Sequence, residues 1–262
     1  MEKIIESISL IILLTTLCVE IFLTKRERFE DRFFELIKLH RENVSEITLG
    51  GITGKKVFIT LLREYRESLR IVKELFKENN INIDRKDAIN IAYLVFFFGT
   101  GPNSSRILRD ALSEYYNEVV NIILNKFDNY KFKNEYIVKN TDDEKDNNKF
   151  RYIPFEGHQS YLGHYYRHLY QSFMYINTRI MRKSKKYEYA KILRAQLSDQ
   201  ELALLIFDIY SGLGKKWRDE NNNLIKKYQI IKNLPKNYID EKEELNLKEE
   251  FSEIKFGYEE KN

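Results

Sequence analysis

"IIESISLIILLTTLCVEIFL" (Ile4–Leu23) is followed at once by "TKRER" (Thr24–Arg28). Twenty helical residues span about 30 Å, the thickness of the hydrocarbon core of a bilayer. Glu6 and Glu20 stand near its two ends, where headgroups can solvate them, and Ser7–Val19 carries no charge. A cleaved signal peptide needs small residues at its cleavage site, and "TTLCVE" offers none. Leu17 before Cys18 does not suit lipoprotein processing. A buried core helix would not end on so abrupt a basic flank. The stretch therefore reads as a single-pass membrane anchor, residues 1–28. Lys25, Arg26 and Arg28 outnumber Lys3, so the positive-inside rule puts the C-terminal mass in the cytoplasm. The expected location is a bacterial inner membrane, with its lipid as the first partner.

Outward from the anchor, the chain has the composition of a folded body. Of 262 residues, 43% are hydrophobic and 32% charged, and only three are Pro. That favours long helices around a sizeable core. Heavy use of Asn, Lys, Ile, Tyr and Phe reads as the coding bias of an AT-rich bacterial genome. The one cysteine, Cys18, excludes an intrachain disulfide and a cysteine zinc site, and it suits a reducing compartment. The net charge of +4 is uneven. From Lys236 onward there are five Lys against nine Asp or Glu, so the tail is acidic and the rest mildly basic. A basic body is compatible with RNA or anionic lipid, but equally with neither.

Residues 26–46 continue the anchor as a charged helix, which "LGGITG" (Leu49–Gly54) breaks. Lys56–Asn79 is amphipathic, with Val57, Phe58, Leu61, Leu62, Tyr65, Leu69, Val72 and Phe76 at helical spacing. "DAINIAYLVFFF" (Asp87–Phe98) is apolar nearly all round. It reads as a buried central helix, too short to span a bilayer comfortably, with a membrane re-entrant segment as the alternative. "GTGP" lacks the lysine and spacing of a phosphate loop and reads as a helix stop. A helix is expected from Ser105 to about Asn129, and residues 128–150 as a polar linker with a short strand pair. Helices resume near Gln159. Ser198 and Glu201 form a capping box for "DQELALLIFDIY", which Gly212 or Gly214 closes. Residues 233–262 read as a frayed acidic tail. The expected fold is mainly α: an N-terminal transmembrane helix, then a cytoplasmic helical bundle over residues 29–232.

The chemistry-bearing side chains concentrate in "GHQSYLGHYYRHLYQ" (Gly157–Gln171), which holds three of the four histidines. At 100° per residue, Leu162, Tyr166, Leu169, Phe173, Ile176 and Ile180 make an apolar stripe. His164, Arg167, His168, Gln171 and Tyr175 lie opposite. Elsewhere the solvated faces carry Lys and Glu, and here there is neither. The face is therefore expected to pack against a neighbour as a polar network, with a functional site and a plain solvent face as alternatives. The candidate catalytic residues are His164, Arg167 and His168, which could supply a general acid–base and a cation for a phosphorane. His158, Tyr161, Gln171, Arg194 and Gln196 are candidate binding residues. Arg151 and His158 fit the loose Arg-x6-His spacing of the helical HEPN ribonucleases, although "YIPFEG" between them is a poor helix. His164 and His168 with His158 or Glu156 could hold a metal, but no HExxH pattern is present. No metal and no cofactor are expected.

Several separated stretches resemble one family, the AbiC-like phage abortive infection proteins. They are "FFELIKLHRENV", "GKKVF", "AYLVFFFGTG", "FEGHQSYLGHYYRHLYQ" and "YAKILRAQLSDQELALLIFDIYSGLG", in the family's order over most of residues 33–214. "LGHYYRHLYQ" and "LRAQLSDQEL" are the specific ones. The resemblance implies membrane-anchored bacterial defence proteins with helical cytoplasmic bodies. Members often carry two membrane helices, whereas one is read here. The family's motif falls on Gly163, His164, Tyr166, Arg167, Leu169, Tyr170, Arg194, Gln196, Leu197, Ser198 and Glu201, without assigned catalytic roles. Arg194 and Gln196, in a turn before a capped helix, are expected to lie against the His164–His168 face. The function expected is anti-phage defence by a membrane-anchored sensor or effector that meets a phage or host protein. The alternatives are a metal-independent HEPN-like ribonuclease acting on RNA and a structural membrane scaffold, each open to homo-oligomerisation.

Overall fold

The computed structural model describes residues 2–101, 105–115, 117–140, 150 and 152–259. Arg151, half of the HEPN-type spacing, lies outside them. The fold is mainly α. Helix α1 (Glu2–Glu46) runs unbroken from the apolar stretch into the body. Its first half has an apolar window of mean hydropathy 2.2, none of it buried. Its second half buries Phe29, Phe33, Ile37, His40 and Val44, spaced four, four, three and four apart. That is one helical face.

Gly50 and Gly51, both at positive φ, make the two-residue turn between strands Thr48–Leu49 and Ile52–Thr53. Two consecutive positive φ angles are what a tight hairpin turn of this hand needs. Helix α2 (Lys55–Glu78) then buries the predicted stripe, together with Glu64 and Ser68. Asp84 caps α3 (Arg85–Phe98) by accepting from the Asp87 amide at 2.7 Å. From Ala88 to Phe97 every described side chain of α3 except Asn90 is buried. It packs on α2, on α8 (Asp199–Tyr210) and on α6 (Gln159–Asn177). Each fully buried Leu, Ile, Val or Phe there contributes about 1.5–3 kcal/mol.

Two expectations for the middle of the chain fail. The helix from Ser105 divides into α4 (Ser105–Ala111) and α5 (Asn117–Asn140). Between them Leu112 is fully buried, and the Tyr115 hydroxyl is drawn to Asp87 at 3.0 Å. A straight helix would not serve both anchors. Residues 128–140 are no strand pair but the continuation of α5. The rest of the expected linker, residues 141–149, lies outside the described residues.

Helix α7 (Lys183–Arg194) returns along α6, and Ile180, expected in the core stripe of α6, is fully exposed beyond the helix end at Asn177. Short helices α9 (Leu224–Tyr228) and α10 (Leu247–Glu250) complete the body. The acidic segment is not frayed. Leu234, Ile239, Leu245, Leu247, Phe251, Ile254 and Phe256 are buried. Its carboxylates meet the basic side of α2, with Arg66 at 2.8 Å from Glu244 and Lys73 at 2.8 Å from Glu243. The apolar residues follow turns, not one helical period, so periodicity could not show them.

Candidate functional site

The histidine segment begins in a loop that crosses the end of α3. The Thr100 amide donates to Phe155 O at 2.9 Å and the His158 amide to Phe97 O at 2.8 Å. Gly99 and Gly157 meet at the crossing. A Cβ on Gly99 would lie 2.3 Å from the Glu156 carbonyl carbon, and one on Gly157 2.2 Å from Phe98 O. Both glycines are also at positive φ. No other residue type fits either position. This accounts physically for the "FGTG" and "FEGH" pieces: they are the two sides of one backbone crossing.

The crossing sets His158 at the start of α6 with its ring turned inward. His158 Nε2 lies 2.9 Å from Glu64 Oε2, with side chains 3% and 0% exposed. Glu64 also accepts from the Phe155 amide at 2.6 Å and from the Tyr152 hydroxyl. A buried carboxylate needs such a set of donors to be tolerated. Glu64 was not foreseen. The signal was available, since it falls on the apolar stripe of α2 between Leu61 and Ser68. Glu156, considered as a metal ligand, pairs with Lys131 at 3.2 Å.

The polar face of α6 is not the packed network expected. His164, Arg167 and Gln171 are exposed, as is Tyr161. The absence of Lys and Glu there does not reflect burial. Among the described residues of that face, Tyr175 and His168 turn toward α1, Tyr175 onto Phe29 and His168 onto His40. The His168 ring stacks on His40, centroids 6.0 Å apart and planes at 22°. His40 is 2% exposed and also touches the Tyr165 ring at 5.5 Å. None of the four ring nitrogens of the pair has a hydrogen-bond partner among the described residues. Burial, with His168 beside it and Lys55 and Arg41 near, pushes His40 down to about 4. Burial, then His164, also lowers His168. At neutral pH the pair is uncharged and joins α1 to α6. His40 was the one histidine outside the singled-out segment.

Arg194 and Gln196 do not hydrogen-bond to that face. Arg194 is buried and donates to the carbonyls of Tyr228 and Gln229, at 3.2 and 2.8 Å. Gln196 Oε1 accepts from Arg41 at 2.9 Å, and its carbonyl accepts from Lys55 at 3.0 Å. It lines a shallow cleft with Phe34, Ile37, Lys38, Arg41 and Ile192. The two specific stretches nevertheless meet, through a residue on the inner side of α6. The Tyr165 hydroxyl donates to Glu201 Oε1 at 2.8 Å, and Glu201 closes the predicted capping box with Ser198. A further buried acid, Asp208, accepts from Tyr93 at 3.2 Å, and burial pushes it up to about 7.

Residues 157–254 match the family described as "Putative phage abortive infection protein". The resemblance to the AbiC-like group therefore holds over that span, and the match supports a general link to anti-phage defence. No match was found among curated proteins or solved structures. The abortive infection match starts at Gly157 of the backbone crossing and covers α6, Arg194, the capping box and α8. It ends at Ile254, within the docked acidic segment. Its N-terminal boundary leaves α1, α2 and α3 outside. The matched span still depends on them, because Glu64, His40 and Phe97 supply its contacts.

Proposed function

We propose that this chain is a membrane-anchored abortive infection protein whose helical body works on the cytoplasmic side as a sensor or effector. The observation that carries the reading is the match over residues 157–254 on a body joined, without a break, to an unburied apolar helix long enough to cross a bilayer. Lys25, Arg26 and Arg28 at its C-terminal flank support a cytoplasmic body. The exposed His164, Arg167, Gln171 and Tyr161 offer a directional polar surface for a phage or host protein. The ribonuclease alternative is less well supported. His158 is occupied by Glu64 and the His168 nitrogens are buried, which leaves His164 and Arg167 alone at the surface.

The test is phage plating and culture survival in bacteria expressing the wild type, His164→Ala, or a variant lacking residues 1–24. Total RNA is followed after infection. The reading expects protection by the wild type, intact RNA, and loss of protection without residues 1–24. RNA cleavage abolished by His164→Ala would establish the nuclease alternative instead. A wild type without any effect on infection would return the scaffold reading.

A further inference from the structure

The turn between α6 and α7 lies at the membrane end of the body. Along α6 from His168 to Tyr175, the contacts move down α1 from His40 to Phe29. The Phe29 ring stacks on Tyr175 at 5.3 Å and meets Tyr189 of α7 edge-on at 4.9 Å. The Tyr189 hydroxyl donates to Glu30 Oε1 at 2.5 Å, and Arg26 reaches the same oxygen at 2.9 Å. Phe29 is six residues past Leu23, about 9 Å along the helix. Helix α6 continues past Tyr175 to Asn177 in the direction of Leu23. The turn that follows is therefore carried to the level of Lys25, where the apolar stretch ends.

The turn suits a lipid surface in both charge and shape. Arg179, Arg182, Lys183, Lys185 and Lys186 fall between Tyr175 and Tyr187, with no acidic residue among them. Arg182 and Lys183 are exposed and make no ion pair among the described residues, and Lys185 has Glu188 at 3.9 Å. Arg179 lies over the Tyr175 ring at 4.1 Å, which fixes it at the turn. At the apex Ile180 is fully exposed, at 105%. It stands in a stretch that carries five cations, of which Lys186 is turned back to the Asn177 carbonyl at 2.6 Å. An exposed apolar side chain among cations is favourable where acyl chains begin beneath phosphate groups.

We propose that the α6–α7 turn is a second membrane contact, in which Ile180 enters the headgroup boundary and Arg179, Arg182, Lys183 and Lys185 bind the phosphates of anionic phospholipids. The site rests on α1 spanning the bilayer, because α1 sets the turn's height. It fastens the body against the leaflet beside α1. Each cation at an anionic membrane surface adds about 1 kcal/mol, or roughly fivefold, to the preference for anionic lipid.

The experiment uses the full chain in nanodiscs of phosphatidylcholine alone or mixed with phosphatidylglycerol. An environment-sensitive fluorophore is placed on Cys18 in one sample. In a second it is placed at position 184, by Ser184→Cys with Cys18→Ser, which leaves Ile180 in place. Acrylamide quenching reads exposure. The expected result is protection of Cys18 in both discs, and protection at position 184 that is several-fold greater with phosphatidylglycerol. That gain should vanish in Arg182→Glu/Lys183→Glu/Lys185→Glu. Protection of Cys18 with full quenching at position 184 overturns the turn's role and leaves the anchor standing. Equal protection at position 184 in both discs, unchanged by the charge reversal, overturns the recognition of anionic lipid. Full quenching at Cys18 overturns the anchor and the second contact together.

Discussion

Glu64 and His158 stand 2.9 Å apart inside the body, although 94 residues separate them in the chain. The contact ties α2 to the first histidine of the segment. Removing one partner of a buried pair leaves the other desolvated and uncompensated, at a cost of roughly 3–5 kcal/mol. His158→Ala should therefore lower stability by that order in denaturant titration. Glu64→Gln/His158→Ala should lose much less than the sum of the single changes. A His158→Ala loss below about 1 kcal/mol would show that the Tyr152 and Phe155 donors suffice for Glu64.

The backbone crossing separates two kinds of glycine. Gly99→Ala and Gly157→Ala each drive a methyl group into backbone atoms at 2.3 and 2.2 Å, and should abolish the folded protein. Gly212 also has positive φ, but nothing lies within 4 Å of its added Cβ. Gly212→Ala should cost only the left-handed backbone strain, roughly 1–2 kcal/mol. Circular dichroism and thermal melting of the three variants would distinguish the two cases.

His40 and Asp208 give opposite pH dependences. His40 titrates near 4 in the fold against 6.5 free, so the unfolded chain binds more protons between these values. Its contribution is complete above pH 6.5 and is lost as pH falls toward 4, up to about 3 kcal/mol. His40→Phe, which fills the stack against His168, should flatten that acid limb. Asp208 is raised from 3.8 to about 7, so the folded chain holds the extra proton. Stability from this group falls as pH rises from 4 to 7 and is level above. Asp208→Asn should remove that fall while still accepting from Tyr93. Denaturation midpoints at pH 5, 6, 7 and 8 test both signs.

The Tyr165–Glu201 hydrogen bond links the two specific sequence stretches across the core. Tyr165→Phe leaves a buried carboxylate oxygen short of a donor and should cost roughly 1–3 kcal/mol. Ser198→Ala should cost about 1 kcal/mol as a lost cap. Because Glu201 joins both, the double variant should fall short of additivity in a denaturation cycle. Strict additivity would mean that the cap and the tyrosine act independently.

The elements legible in the sequence were those set by a period or a local code. The stripe of α2, the all-round apolar α3 and the Ser198–Glu201 box each announce themselves within a dozen residues. The site was only partly legible. The face angles of α6 follow from its own period, but they do not say which face a neighbour covers. That depends on His40 and Phe29, more than a hundred residues earlier. Arg194 is consumed by the carbonyls of Tyr228 and Gln229, which no local pattern could assign. The docked acidic segment escaped because its apolar residues sit in turns and its carboxylates find α2 only in three dimensions.

Helix α1 contains neither proline nor glycine from Glu2 to Glu46 and so has no hinge. With Ile4–Leu23 in a bilayer, it acts as a stiff lever whose short arm lies in lipid and whose long arm is the spine of the body. His40 is about 25 Å beyond Leu23 along that arm. A tilt change of about 10°, ordinary for a transmembrane helix when bilayer thickness alters, swings that point through roughly 4 Å. A change of tilt in the bilayer would then move His40, with the α6 residues packed on it, as one piece with the helix.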